Sequence, residues 1–212
     1  MKEKNPIHLL EVLVIDDEPE KKAIIKDTLE AQGFKVTWCT CWKEVEELLA
    51  ERVLDGAPFP DIALVDMHFK TNILNPNPAL EGIAIVEELR KTYRLHGKNS
   101  IPTIGFTARE SYLLRQEMIE VGVSDFITSE EWERPQLFTR RILECIRNGM
   151  AEGAREDLDS TEIGEIECQI VHRVLAMAEG NEEKAATLLN WPIKYLEEVK
   201  RRCQVGGYYN AQ

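Results

Sequence analysis

Val12–Glu20, VLVIDDEPE, and Ile62–Phe69, IALVDMHF, are the two stretches on which the reading of the fold turns. Each is a run of four apolar residues that stops abruptly at aspartate: Asp16 and Asp17 after the first, Asp66 after the second. Continuous apolar runs of this length suit strands buried on both faces, as in a parallel sheet covered by helices. Three further short runs follow the same rule, at Lys35–Cys39, Thr103–Phe106 and Asp125–Ile127. Between them lie helical patterns at Lys21–Gln32, Trp42–Arg52, Gly82–Leu95, Arg109–Val121 and Pro135–Asn148. Strand and helix alternating five times predict an α/β fold, a doubly wound five-stranded parallel sheet of the flavodoxin-like kind. Two irregular inserts interrupt the alternation: His68–Ala79, rich in Asn and Pro, and His96–Pro102.

In such a sheet the carboxyl ends of the strands carry the binding site. Asp16, Asp17 and Asp66 fall there, on strands that are neighbours in the flavodoxin-like order. Carboxylates a few ångströms apart repel by roughly 4 kcal/mol per pair at an effective dielectric near 20. The cluster therefore calls for a counter-ion, and an all-oxygen set favours Mg²⁺. A carboxylate beside Mg²⁺ can attack an activated phosphorus, because the metal neutralises the phosphoryl oxygens. Thr107, at the end of the fourth run, can place a hydroxyl on those oxygens.

VLVIDDEPE, ALVDMHF, PTIGFTA and VGVSDFIT, in this order and spacing, resemble the receiver (CheY-like) domain of two-component response regulators over about residues 9–148. The resemblance implies that Asp66 is the phosphoacceptor and that Asp16, Asp17 and Asp66 hold Mg²⁺ with the main-chain carbonyl of His68. Thr107 becomes the switch hydroxyl, Phe126 the switch aromatic and Gly82 the turn glycine before the third helix. A histidine kinase or phosphotransfer protein becomes the partner. The sequence departs from the pattern in three places. The lysine that ends the fifth strand in that family falls on Ser129, followed by Glu130, and no lysine lies between Arg115 and Arg134. Losing that charge-assisted hydrogen bond, about 1.5–3 kcal/mol, weakens the response by roughly ten- to a hundredfold. The loop after Asp66 is also longer than in the family, and the aromatic is Phe rather than Tyr.

Beyond Asn148 the pattern changes. Gly149, Gly153 and an acidic run, in which Arg155 stands alone against Glu152, Glu156, Asp157, Asp159 and Glu162, read as an acidic linker over 149–162, either solvated or a poorly packed helix extension. Residues 163–212 then read as a small all-α unit. EIECQIVHRVLAMAEGNEEKAATLLNWPIKYLEEVKRR, residues 165–202, resembles the Fis-type helix-turn-helix domain at the end of some nitrogen-regulatory activators. That resemblance implies DNA binding and transcriptional control, with the third helix in the major groove and Lys194, Lys200, Arg201 and Arg202 as candidate nucleic-acid contacts. Leu196, Val199 and Cys203 form its inward stripe, while Glu197 and Glu198 on the outer side repel phosphates. The competing reading is an interaction adaptor with weak phospho-control, the last helices serving dimerisation. Ile166, Ile170, Val174 and Met177 stripe the first of these helices and suit pairing of two chains, so a homodimer is expected.

The 212 residues carry a net charge of −12, which opposes non-specific nucleic-acid binding by the chain as a whole. No stretch is long and apolar enough for a bilayer, and no partner membrane is expected. The five cysteines (Cys39, Cys41, Cys145, Cys168 and Cys203) are scattered and odd in number, which fits a reducing, cytoplasmic setting. Cys39 and Cys41 alternate onto one strand face but lack partners for a metal. Gly97–Lys98 is the only GK pair and does not complete a P-loop, so no enzymatic output is expected.

Overall fold

The computed structural model describes residues 9–69, 79–96, 101–107, 112–128, 131, 134–154 and 160–205. Its strands are β1 (Glu11–Ile15), β2 (Lys35–Cys39), β3 (Ile62–Asp66), β4 (Thr103–Thr107) and β5 (Asp125–Thr128), all parallel, in the order β2-β1-β3-β4-β5. The helices are α1 (Pro19–Ala31), α2 (Trp42–Asp55), α3 (Ala79–Leu95), α4 (Tyr112–Glu120), α5 (Pro135–Ala154), α6 (Ser160–Met177), α7 (Glu182–Leu189) and α8 (Ile193–Val205).

Alternation along the strands sorts the core into two halves. Val12, Val14, Ile62 and Leu64 face α1 and α5, with Ile25, Leu29, Phe138 and Ile142. Leu13, Ile15, Ala63 and Val65 face the other way, onto Val45, Leu49, Val86, Leu89 and Met118 of α2, α3 and α4. This is the two-faced burial that the VLVI and IALV runs require. None of the helices is long and apolar enough to cross a membrane, among the described residues.

After residue 148 the structure favours the helix extension over the solvated linker. The expected linker over 149–162 is helical at both ends: α5 continues to Ala154 and α6 starts at Ser160, with residues 155–159 outside the described set. Gly149 within this helix is a point of close approach, since a Cβ there would drive into the Pro102 ring. The stripe expected to pair two chains is spent within one. Ile170, Val174 and Met177 are buried in the same cluster as Phe34 and Leu10, so a homodimer would need another face. Beneath them Arg173 of α6 donates to Asp61 Oδ1 at 2.7 Å and to Leu9 O at 3.2 Å, tying this helix to the amino end of the sheet.

Within the C-terminal helices the cysteines are not scattered. Cys168 of α6 and Cys203 of α8 form a disulfide with Cα atoms 5.5 Å apart. Cys39 closes β2 and is buried, whereas Cys41 is exposed at the start of α2, so the two do not share a strand face. The turn chemistry is as the sequence expects: the Asn181 side chain accepts from Lys184 N at 2.9 Å to cap α7. Asn190 ends that helix with φ 54°. Leu196, Val199 and Cys203 point inward, all at most 1% exposed.

Candidate functional site

Strand register assembles the acidic pocket. Ile15 pairs with Val65, so the residues that follow, Asp16 and Asp66, emerge side by side at the carboxyl edge. Both are buried, 0% and 1% exposed, and Asp17 beside them is half-buried. Gly82 explains how α3 comes so close to this edge: a Cβ there would lie 2.5 Å from the Asp66 carbonyl oxygen. Backbone donors orient the carboxylates. Glu18 N donates to Asp16 Oδ1 at 2.7 Å, and His68 N donates to Asp66 Oδ1 at 2.9 Å.

Burial and mutual repulsion set the charges. Burial pushes the Asp16 carboxyl up to about 6, against the Glu18 backbone hydrogen bond and with the help of the Asp66 charge. Burial also raises Asp66 above its ordinary range, opposed by its hydrogen bonds from Lys21 and the His68 backbone. The pocket is thus short of positive charge, and the residue that answers it is one the sequence reading passed over. Lys21, in the first turn of α1, places its Nζ 2.5 Å from Asp66 Oδ2, 3.3 Å from Asp16 Oδ2 and 3.2 Å from Glu18 Oε2. Its ammonium also lies 5.6 Å from the centroid of the Phe106 ring. Burial works against the charge on Lys21, but the Asp66 hydrogen bond and the two aspartate charges hold it above the ordinary lysine range.

The remaining site residues fall in place with one surprise. Thr107 is 1% exposed at the end of β4, and its Oγ1 shares a hydrogen bond of 2.7 Å with His68 Nδ1. The hydroxyl expected to meet a phosphoryl group is therefore engaged by a side chain two residues after Asp66. Phe126 is buried on β5, opposite Gly105 of β4. Ser129 lies outside the described residues, as does the long loop over 70–78. Among the described residues no three His, Cys, Asp or Glu side chains converge as a ready metal centre. The donor chemistry of Asp16 and Asp66 nevertheless fits a hard cation: buried carboxylate oxygens with unfavourable like charges are what Mg²⁺ neutralises.

The four candidate nucleic-acid contacts divide evenly. Lys194 and Arg201 are exposed on α8. Lys200 is ion-paired with Glu182 of α7, and Arg202 lies 3.1 Å from Glu167 of α6 and against the Tyr195 ring. Tyr195 in turn donates to Glu167 Oε1 at 2.7 Å. Two of the four charges are thus partly neutralised inside the helical unit.

The family model for the response regulator receiver domain matches residues 12–140. The chain is 28% identical over 116 residues to the transcriptional regulatory protein CpxR of Escherichia coli, spanning 55% of this chain and 41% of that protein. It is 29% identical over 117 residues to the sensor histidine kinase CheAY of Helicobacter pylori, across 13% of that protein. The chain thus spans less than half the length of these curated relatives. Among solved structures, a CheY-like receiver from Methanospirillum hungatei superposes with a TM-score of 0.50 at 22% identity, covering 69% of this chain and all of that one. NtrX from Brucella abortus gives 0.52 at 18% identity, covering 72% of this chain and 31% of that one. These likenesses carry the fold, and they bear mainly on the sheet and its helices.

Proposed function

The chain belongs to the response regulator receiver family, and on that premise we propose that it is a response regulator of a two-component phosphorelay with Asp66 as phosphoacceptor. The observation that carries this is the convergence of Asp66, Asp16 and Thr107 at one carboxyl edge, each of them buried. A Asp66 carboxylate oxygen attacks the phosphorus of a phosphohistidine, on a histidine kinase or phosphotransfer protein. The new oxygen–phosphorus bond forms as the donor's nitrogen–phosphorus bond breaks, and the imidazole leaves. Asp16 and Asp17 side chains, Asp66 and the His68 carbonyl would hold Mg²⁺, which supplies charge neutralisation for the incoming phosphoryl oxygens. His68 N, already donating to Asp66 Oδ1 at 2.9 Å, keeps one carboxylate oxygen oriented so that the other is presented for attack. Thr107 reaches the phosphoryl group by giving up its hydrogen bond to His68. Phe126 is the aromatic that repacks when Thr107 moves.

For the output we favour regulation through the C-terminal helices. The arrangement of α7, a tight turn at Asn190 and α8 supports transcriptional control by a helix-turn-helix, with Lys194 and Arg201 the exposed contacts. A specific observation favours the second reading, an adaptor without DNA contact: Lys200 and Arg202 are already paired with Glu182 and Glu167.

Incubating the full chain with acetyl phosphate and Mg²⁺ tests the first step. A phosphate released by hydroxylamine from wild type and absent from Asp66→Ala supports the phosphoacceptor; equal labelling of both removes it. Titrating the full chain onto duplex DNA at rising salt tests the output. A steep negative dependence of log affinity on log salt supports a DNA reader. Absence of binding at low salt leaves the adaptor.

A further inference from the structure

The geometry points to Lys21 as a built-in counter-ion of this pocket: its ammonium stands between Asp16 and Asp66, two of the carboxylates that would hold Mg²⁺, and metal loading requires it to withdraw. The inference deepens the reading of Asp66 as phosphoacceptor and rests on it.

Two buried carboxylates from neighbouring strands converge on one nitrogen, at 2.5 Å for Asp66 and 3.3 Å for Asp16. That bridging task is what a hard cation performs among oxygen ligands. An ammonium and a dication cannot both sit between the same oxygens, because like charges a few ångströms apart repel strongly. Hence the two compete. The competitor is held in place on both sides: α1 starts at Pro19 and fixes its backbone, and the Phe106 ring lies under its charge at 5.6 Å. It also has a place to retreat to. Glu18 Oε2, 3.2 Å away and at the N-cap of α1, is a partner the ammonium keeps when it leaves the two aspartates. The sequence holds no lysine between Arg115 and Arg134, so the cation that neutralises the acceptor comes from the first helix rather than from the end of β5.

Calorimetric titration of the full chain with Mg²⁺ tests this. Lys21→Met keeps the apolar stem over Phe106 and removes the charge; it should bind Mg²⁺ about ten- to a hundredfold more tightly than wild type, the worth of a charged hydrogen bond. Lys21→Arg, which restores the cation, should bind as weakly as wild type. Equal or weaker Mg²⁺ binding by Lys21→Met, with unchanged circular dichroism, overturns the inference. A second measurement needs no removal of the charge. In the ¹⁵N-labelled wild-type chain the Lys21 Nζ resonance, assigned by its loss in Lys21→Arg, should shift as Mg²⁺ is added; metal binding with that resonance unmoved overturns the inference too. Labelling by acetyl phosphate separates the failures. If Asp66 is labelled but Lys21→Met binds Mg²⁺ no better, the counter-ion falls and the phosphoacceptor stands. If no chain is labelled and none binds Mg²⁺, both fall.

Discussion

The two ends of the sheet hold buried acids in opposite circumstances. At the amino end, Glu11 is 5% exposed and meets Lys35 at 3.0 Å, Arg52 at 2.6 Å and the Thr37 hydroxyl at 2.6 Å. Asp61 beside it accepts from Glu11 N at 2.8 Å and is clamped by Arg173. At the carboxyl end, Asp16, Glu18 and Asp66 all converge on the one ammonium of Lys21. The charges follow. Burial pushes Glu11 up, but Thr37, Lys35 and Arg52 more than offset it and hold its carboxyl below the ordinary range. Asp16 is pushed up instead, to about 6. One end is electrostatically at rest and ties the C-terminal helices down. The other stores repulsion that a cation relieves, a pattern common where a site does chemistry.

The contrast can be broken in three ways, of decreasing size. If the amino end is a structural clamp, the helices that supply Arg173 should matter most. Cys168→Ala with Cys203→Ala opens a bridge of sequence separation 35 and should cost the full chain about 4 kcal/mol in urea unfolding. An unfolding midpoint indifferent to reductant would show that this tie adds nothing. Arg173→Ala comes next. It leaves the 13%-exposed Asp61 side chain without its bidentate partner and should cost about 3 kcal/mol, with Asp61→Asn restoring part of the loss. A cost no larger than that of Arg201→Ala on the exposed side of α8 would dissolve the clamp.

Per unit of pH, the smallest effect is the titration of Asp16. Asp16 binds its proton more tightly folded than unfolded, so its contribution is most favourable at low pH. That contribution is lost as pH rises from the ordinary carboxylate range, 3.8, through about 6. Between these values metal-free protein should lose at most about 1.4 kcal/mol per pH unit from this group, and Asp16→Asn should remove that slope. Glu11 works in the other direction: its folded value is depressed, so its contribution is present above the ordinary range and disappears as pH falls through that lowered value. Urea midpoints across this range that are identical for wild type and Asp16→Asn would contradict the stored repulsion.

Much of this was legible in the chain. The runs ending at Asp16, Asp66 and Thr107 marked the strands and the acid edge, because a continuous apolar run and the place where it stops are local properties; the strand order came with the flavodoxin-like fold class. Lys21 was not legible. In the string Glu20-Lys21-Lys22 it reads as a solvated helix residue, and only the seating of α1 on the sheet turns it into the pocket. The 35-residue separation of Cys168 and Cys203 hid their pairing for a related reason, since it depends on how α6 crosses α8. Gly149 left linker and helix extension open because glycine marks either a break or a close approach, and which one depends on Pro102, far away in sequence. The stripe of Ile170, Val174 and Met177 was correctly read as an apolar face, but periodicity says nothing about what covers it.

One apolar cluster runs from Leu10, just before the first strand, to Cys203 on the last helix. A modular protein can exchange its output for another by recombination at a tether, leaving each half folded. This chain has given up that freedom. Its last three helices are a wall of the same house as the sheet, so a graft that replaced them would have to bring its own cover for Phe34, Ile142 and Leu143. Heredity would then tend to pass the two parts on together, substitution answering substitution across the joint.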